Sequence, residues 1–122
     1  MEFKKVVHRN QVKPGDIVRL AGGHILMTVW KLSSSDQTNV MACYPTEGQI
    51  KTVPVPYLVL EVSDQTFPSV FGFDPGAVVQ LRSGGRNMVV QYQNGDSVRL
   101  WWEGAGIVDT TELPVVLLKE ID

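Results

Sequence analysis

The feature that most constrains this chain of 122 residues is an internal repeat. Residues 14–20 (PGDIVRL) match residues 75–81 (PGAVVQL) at an offset of 61 positions, which also pairs Met27 with Met88. After a loop that is three residues longer in the first copy, the offset becomes 58. This offset pairs Val40 with Val98, Tyr44 with Trp102, Pro56 with Pro114 and Leu60 with Leu118. Two steady offsets separated by one change in loop length indicate a duplicated unit of about 50 residues.

Each copy has turn residues spaced as expected between short strands. Pro-Gly opens a turn, an alternating strand follows, and the Gly-Gly pairs at 22–23 and 84–85 allow a sharp reversal. Asn94-Gly95 is a strong hairpin signal. The predicted strands are 17–20, 26–31, 40–44, 49–53 and 58–62 in the first copy, with 88–93, 98–102, 107–111 and 116–121 in the second.

The pattern predicts an all-β protein made of two tandem small SH3-like β-barrels, each with about five short strands. Residues 1–62 form the first barrel with an N-terminal extension, residues 63–73 a linker, and residues 74–122 the second barrel. Units of this size are marginal alone, so the barrels are expected to pack together. The linker contains Phe67, Phe71 and Phe73, and is therefore expected to pack between them.

A family resemblance agrees with this architecture. Residues 14–29, and residues 81–102 of the second copy, resemble the YodC-like family of small uncharacterised bacterial proteins. The chain departs from the family pattern at Ala77, which replaces a turn Asp, and at Cys43-Tyr44, which stand where an aromatic pair is expected. The family unit usually occurs singly. The resemblance implies a fold, and it implies neither catalytic residues nor a cofactor.

Composition excludes several classes of protein. Hydrophobic residues make up 43% and charged residues 20% of the chain, as in an ordinary globular protein. The net charge of −2 argues against a duplex nucleic-acid partner, although residues 1–12 carry +2 and residues 74–122 carry −3. No apolar run is long enough to span a membrane. Cys43 is the only cysteine. The expected location is the cytoplasm, with a reduced thiol.

Residues with catalytic or metal-binding chemistry are few. Besides Cys43, the chain has His8 and His24, which do not form the local ligand pairs of a zinc site. Phosphate-binding and hydrolase motifs are absent from the sequence. A Cys43–His24 nucleophile pair can be imagined, but a cysteine within a strand is most often a small buried residue. The sequence therefore predicts a protein without catalytic activity, metal or cofactor.

Strand alternation singles out one tryptophan. Val98, Leu100 and Trp102 share one face of the predicted strand and belong to the core, so Trp101 points outward. We expect either that the linker phenylalanines or the first barrel cover it, which is the favoured interpretation, or that it anchors a partner. In the second case it shares a surface with three arginines, which are Arg82, Arg86 and Arg99. Trp30 and Tyr92 are expected in the core or between the units.

The leading hypothesis is a non-catalytic binding or adaptor module that recognises a protein, including a second copy of itself, through Trp101 and these arginines. One alternative is a small barrel that binds single-stranded nucleic acid by stacking. Others are an inhibitor encoded on a mobile element, or a small enzyme that uses Cys43.

Overall fold

The computed structural model describes residues 1–32, 37–47, 49–68 and 72–121. In these residues the fold consists of eleven β-strands and three single turns of 3₁₀ helix, without an α-helix. Two antiparallel sheets curl into two small SH3-like barrel units, which confirms the predicted fold class. None of the helical segments described is long and apolar enough to cross a bilayer.

The first barrel contains a six-stranded sheet, ordered β1-β6-β2-β3-β4-β5. Its strands are β1 (Phe3–Lys5), β2 (Ile17–Leu20), β3 (Met27–Leu32), β4 (Asn39–Thr46), β5 (Gln49–Pro56) and β6 (Leu60–Ser63). Short 3₁₀ turns lie at Arg9–Gln11 and Tyr57–Val59. The N-terminal strand β1, which the repeat does not predict, pairs with β6.

The second barrel contains a five-stranded sheet, ordered β10-β9-β8-β7-β11. Its strands are β7 (Val78–Leu81), β8 (Met88–Asn94), β9 (Ser97–Gly104), β10 (Ile107–Pro114) and β11 (Leu118–Glu120). A 3₁₀ turn at Val115–Leu117 follows Pro114, as the turn at Tyr57–Val59 follows Pro56. The order of pairing is the same in both barrels, apart from β1.

The repeat extends to backbone geometry. Gly15 and Gly76 have φ of 91° and 89°, which favours glycine because a Cβ atom strains the backbone there. Each donates its N–H to the neighbouring strand over 2.7 Å, to the carbonyls of Val29 and Val90 respectively. The two Pro-Gly turns therefore have the same backbone geometry and the same hydrogen bond in both barrels.

A β-bulge is also repeated, and in the second barrel it decides where Tyr92 points. The register shifts between Val29 and Lys31 in β3, and between Val90 and Tyr92 in β8. A bulge reverses the alternation of the residues after it. Tyr92 is consequently paired with Arg99 and exposed, so the expectation that it lies in the core or between the units is wrong.

Each barrel has its own core. The first is built around Val18, Val29 and Leu60, and the second around Val79, Leu100 and Leu118. In β9 the predicted inward set is confirmed, since Val98, Leu100 and Trp102 are all buried. The second core also includes Phe73 from the linker and Cys43 from the first barrel, so it continues into the junction.

The outermost strands of the two sheets are β1, β5, β10 and β11. Charged side chains or prolines occupy each of them in the described residues. They include Lys4 and Lys5 on β1, Lys51 and Pro54 on β5, Asp109 and Glu112 on β10, and Lys119 and Glu120 on β11.

Candidate functional site

The junction between the barrels is built from strands β3 and β4 of the first barrel. Thr28 is fully buried there, where its Oγ1 accepts a hydrogen bond from the Ser83 backbone N–H at 2.9 Å and donates to Ser83 Oγ at 2.7 Å. Trp30 and Ile50 pack against the second core. These contacts explain why Trp30 is half-buried: it lies between the units, as expected.

Arg82 and Arg86, two of the four candidate binding residues, lie at this junction. The guanidinium of Arg82 is 4.9 Å from the Phe67 ring, and its Nε donates to the Leu118 carbonyl at 3.3 Å. Burial lowers the pKa of Arg82, and the nearby Asp16 carboxylate opposes that shift. Through these contacts Arg82 connects the linker to the second barrel. Phe71 lies outside the described residues.

Arg86 connects the junction to the outer surface of the second barrel. Its guanidinium stacks on the Trp102 ring at 4.4 Å, and its Nη2 donates to the Thr46 carbonyl of the first barrel at 2.9 Å. It also lines a shallow groove beside Trp101. Arg86 thus holds the two units together at one side of that groove.

Trp101 is exposed on the outer face of β9, with 42% of its surface accessible. This exposure contradicts the favoured interpretation, in which the linker phenylalanines or the first barrel cover Trp101. Its Nε1 donates to Gln91 Oε1 at 2.6 Å, which fixes the ring against β8. A tryptophan held in one orientation loses little conformational freedom when a partner covers it.

Apolar neighbours extend this surface. Val89 lies directly across from Trp101 in the β8–β9 ladder and is 45% exposed, while Val108 on β10 is 68% exposed. A groove of about 550 Å³ runs between them. We call Val89, Trp101 and Val108 the Trp101 face. Neither valine was predicted, although strand alternation beside the buried Met88 and Val90 places Val89 on the outside.

Arg99 lies on the same side of β9 as Trp101, two residues earlier. Its Nη2 is 3.5 Å from Glu112 Oε2, and both side chains are partly accessible. The structure therefore brings Arg99 and Arg86 to opposite sides of Trp101 and keeps Arg82 away at the junction. Glu103 also lines the groove, so charges of both signs lie next to the Trp101 face.

Cys43 and His24 do not form a nucleophile pair in this geometry. Cys43 is 1% exposed at the junction, and its Sγ is 3.3 Å from Thr52 Oγ1. Burial raises the pKa of the Cys43 thiol, although the hydrogen bond with Thr52 acts in the opposite direction. His24 is exposed on a different part of the first barrel. The thiol is thus kept protonated and away from solvent, the opposite of what a nucleophile needs.

Within the described ranges, no cluster of three or more His, Cys, Asp or Glu side chains has the arrangement of a metal site. An apolar concavity lies on the first barrel. This groove of about 400 Å³ is bounded by Leu20, Ile25, Tyr44 and Val55, among others. In the second barrel the equivalent opening is covered by the larger Trp102 and by Arg86 stacked on it.

Comparisons with known proteins add no relative. A scan against protein-family models finds no match, and a search of the curated proteins finds none with significant similarity. The resemblance to the YodC-like family therefore stays a prediction.

Proposed function

We propose that this protein is a non-catalytic binding module that recognises a protein partner through the Trp101 face. The observation that carries the proposal is the exposure of Trp101 between two exposed valines on a rigid sheet. Exposed apolar side chains that are grouped together and bordered by polar residues are typical of interaction sites. Tryptophan and arginine are also the residues that most often dominate binding energy at protein interfaces.

The groups around the face fit a protein better than a nucleic acid. Glu103 lines the groove, Glu112 pairs with Arg99, and Asp109 lies on the same strand as Val108. Arg82 and Arg86 are engaged with the linker and the first barrel. A phosphate backbone needs an excess of free cations, which this surface does not offer.

Photo-crosslinking tests the proposal directly. Benzoylphenylalanine is placed at position 108 in the purified chain, the chain is irradiated in cell lysate, and the adducts are identified by mass spectrometry. A matched control carries the same group at position 7, where Val7 is exposed and lies outside the groove. We expect a defined protein adduct from position 108 that is absent from position 7.

Trp101→Ala in the position-108 chain gives the second arm. It removes the proposed anchor and, of the side-chain contacts described above, only the hydrogen bond with Gln91. The adduct should therefore be lost while the fold persists. Arg86→Ala is a poor choice, because that residue also joins the barrels. Identical adducts from positions 108 and 7, or adducts that nuclease removes, would contradict the proposal.

A further inference from the structure

The two barrels meet head to tail, through different surfaces of the same repeated unit. Thr28 of the first barrel contacts Ser83 of the second, whereas their counterparts Val89 and Gly22 are both exposed. A two-fold arrangement requires both contacts to be made. A head-to-tail contact leaves one copy of each surface without its counterpart.

The first unused surface is on the second barrel. Val89, Trp101 and Val108 occupy the repeat positions of Thr28, Cys43 and Ile50, which form the junction in the first barrel. Thr28 and Cys43 are 0% and 1% exposed, against 45% and 42% for Val89 and Trp101. The Trp101 face is therefore a second copy of the surface that already docks within the chain.

The second unused surface is on the first barrel. At the junction, the second barrel receives its neighbour at the turn containing Arg82 and Ser83 and at the 3₁₀ turn Val115–Leu117. The corresponding region of the first barrel consists of the turn at residues 21–22, next to the 400 Å³ groove, and the 3₁₀ turn Tyr57–Val59. We call it the free receiving end, and its exposed apolar residues are Leu20, Ile25, Leu58 and Val59.

The apolar surface of the molecule is concentrated at these two places. In the described part of the chain, seven of the eleven large apolar side chains that are exposed belong to one or the other. On the second barrel they are the three residues of the Trp101 face, and on the first they are the four of the free receiving end. Repeat proteins normally end in polar capping units, and here both ends are apolar.

Hairpin contacts and charge support the same pairing. At the junction the end of strand β4 reaches the second barrel, where Pro45 lies against Gly85 and Thr46 is bonded to Arg86. The corresponding hairpin of the second barrel presents Ile107 and Val108 to solvent. Residues 1–62 carry seven basic and five acidic side chains, and residues 74–122 carry four and seven. The first barrel therefore has a net charge of +2 and the second a net charge of −3, so the second barrel of one copy attracts the first barrel of another.

We infer that the partner of the Trp101 face is a second copy of this chain, whose free receiving end accepts it as the second barrel accepts the first. This inference rests on the proposed function and names the partner. Because the contact is head to tail, each chain in the assembly offers one face and one receiving end. The product is a ring or an extending chain of copies, not a closed two-fold dimer.

Sedimentation velocity over a range of protein concentrations tests the inference with two single variants. Val108→Glu places a charge on the Trp101 face, and Leu58→Glu places one on the free receiving end. Each should raise the dissociation constant of self-association at least about tenfold, the effect of losing one interface anchor. Val7→Glu is the matched control, because Val7 is exposed outside both surfaces. Circular dichroism verifies that every variant is folded.

A mixture of the two variants is the decisive sample. Val108→Glu keeps a working receiving end and Leu58→Glu keeps a working Trp101 face, so together they should form a 1:1 complex that grows no further. Dimers of Leu58→Glu alone would indicate face-to-face pairing and would overturn the inference. Wild-type protein that stays monomeric would also overturn it. If the wild type is monomeric but position 108 crosslinks to another protein, the proposed function stands and only the self-association is wrong. If no adduct forms at all, the proposed function is wrong as well.

Discussion

Replacing Thr28 by valine measures how much the junction stabilises the fold. The substitution keeps the shape of the side chain, and valine already stands at the equivalent position 89 of the second barrel. The hydroxyl of Thr28 makes both hydrogen bonds with Ser83, at 2.7 and 2.9 Å, and is fully buried. Its removal therefore affects the contact between the barrels and little else.

The size of the effect follows from these contacts. Leaving the Ser83 N–H without its acceptor costs about 1–3 kcal/mol, and the added methyl group recovers up to about 0.8 kcal/mol. We expect Thr28→Val to lower the free energy of unfolding by about 1–2 kcal/mol. Thr66→Val, at an exposed position outside the strands, should change it by less than about 0.5 kcal/mol.

Urea unfolding followed by circular dichroism and tryptophan fluorescence measures both values, at one low protein concentration because association also adds stability. Ser83→Ala, alone and combined with Thr28→Val, completes a double-mutant cycle. The coupling energy should be about 0.5–1.5 kcal/mol. A loss for Thr28→Val no larger than that of Thr66→Val, or a coupling of zero, would refute the reasoning.

Two further predictions concern titratable groups whose pKa is raised by burial, which is complete for Cys43 and partial for Asp16. The Cys43 thiol, buried and with a raised pKa, should react with iodoacetamide at pH 8 at least about 100-fold more slowly in the folded protein than in urea, as rates of alkylation will show. Equal rates would contradict its burial at the junction. Burial also raises the pKa of the Asp16 carboxyl above its ordinary value of 3.8, so the folded state holds that proton more tightly than the unfolded chain. The resulting stabilisation is complete below that value and is lost as pH rises through the folded pKa. Asp16→Asn should remove this part of the pH dependence in urea titrations, and an unchanged profile would count against it.

The repeat and the alternation of strands were enough to predict both barrels and the outward direction of Trp101. Those features depend on local chemistry, such as Pro-Gly turns and period-two patterns, which the sequence displays directly. The side on which Tyr92 lies was predicted wrongly because a β-bulge, a matter of register between strands, reverses the pattern after Val90. Strand β1 was not predicted because three residues without a repeat counterpart carry too weak a signal.

The arrangement of the two barrels could not be predicted from the sequence and is known only from the structure. Which surface of one unit meets which surface of the other depends on shape and on a few polar contacts, such as that between Thr28 and Ser83. The sequence contained one clue: Cys43 is small where its counterpart Trp101 is large. A small residue allows the close approach of a neighbouring unit. A large aromatic residue provides the contact area with which a partner is bound.

The outermost strands restrict the ways in which this protein can meet others. Lysines on β1 and β11, prolines on β5 and acidic residues on β10 hinder the addition of a foreign strand to either sheet. Uncontrolled sheet growth of the kind that produces amyloid is thereby disfavoured, even though strands make up most of the fold. Contacts are directed to the side-chain surfaces of the barrels, where recognition depends on which residues are present and not on a backbone that every strand shares.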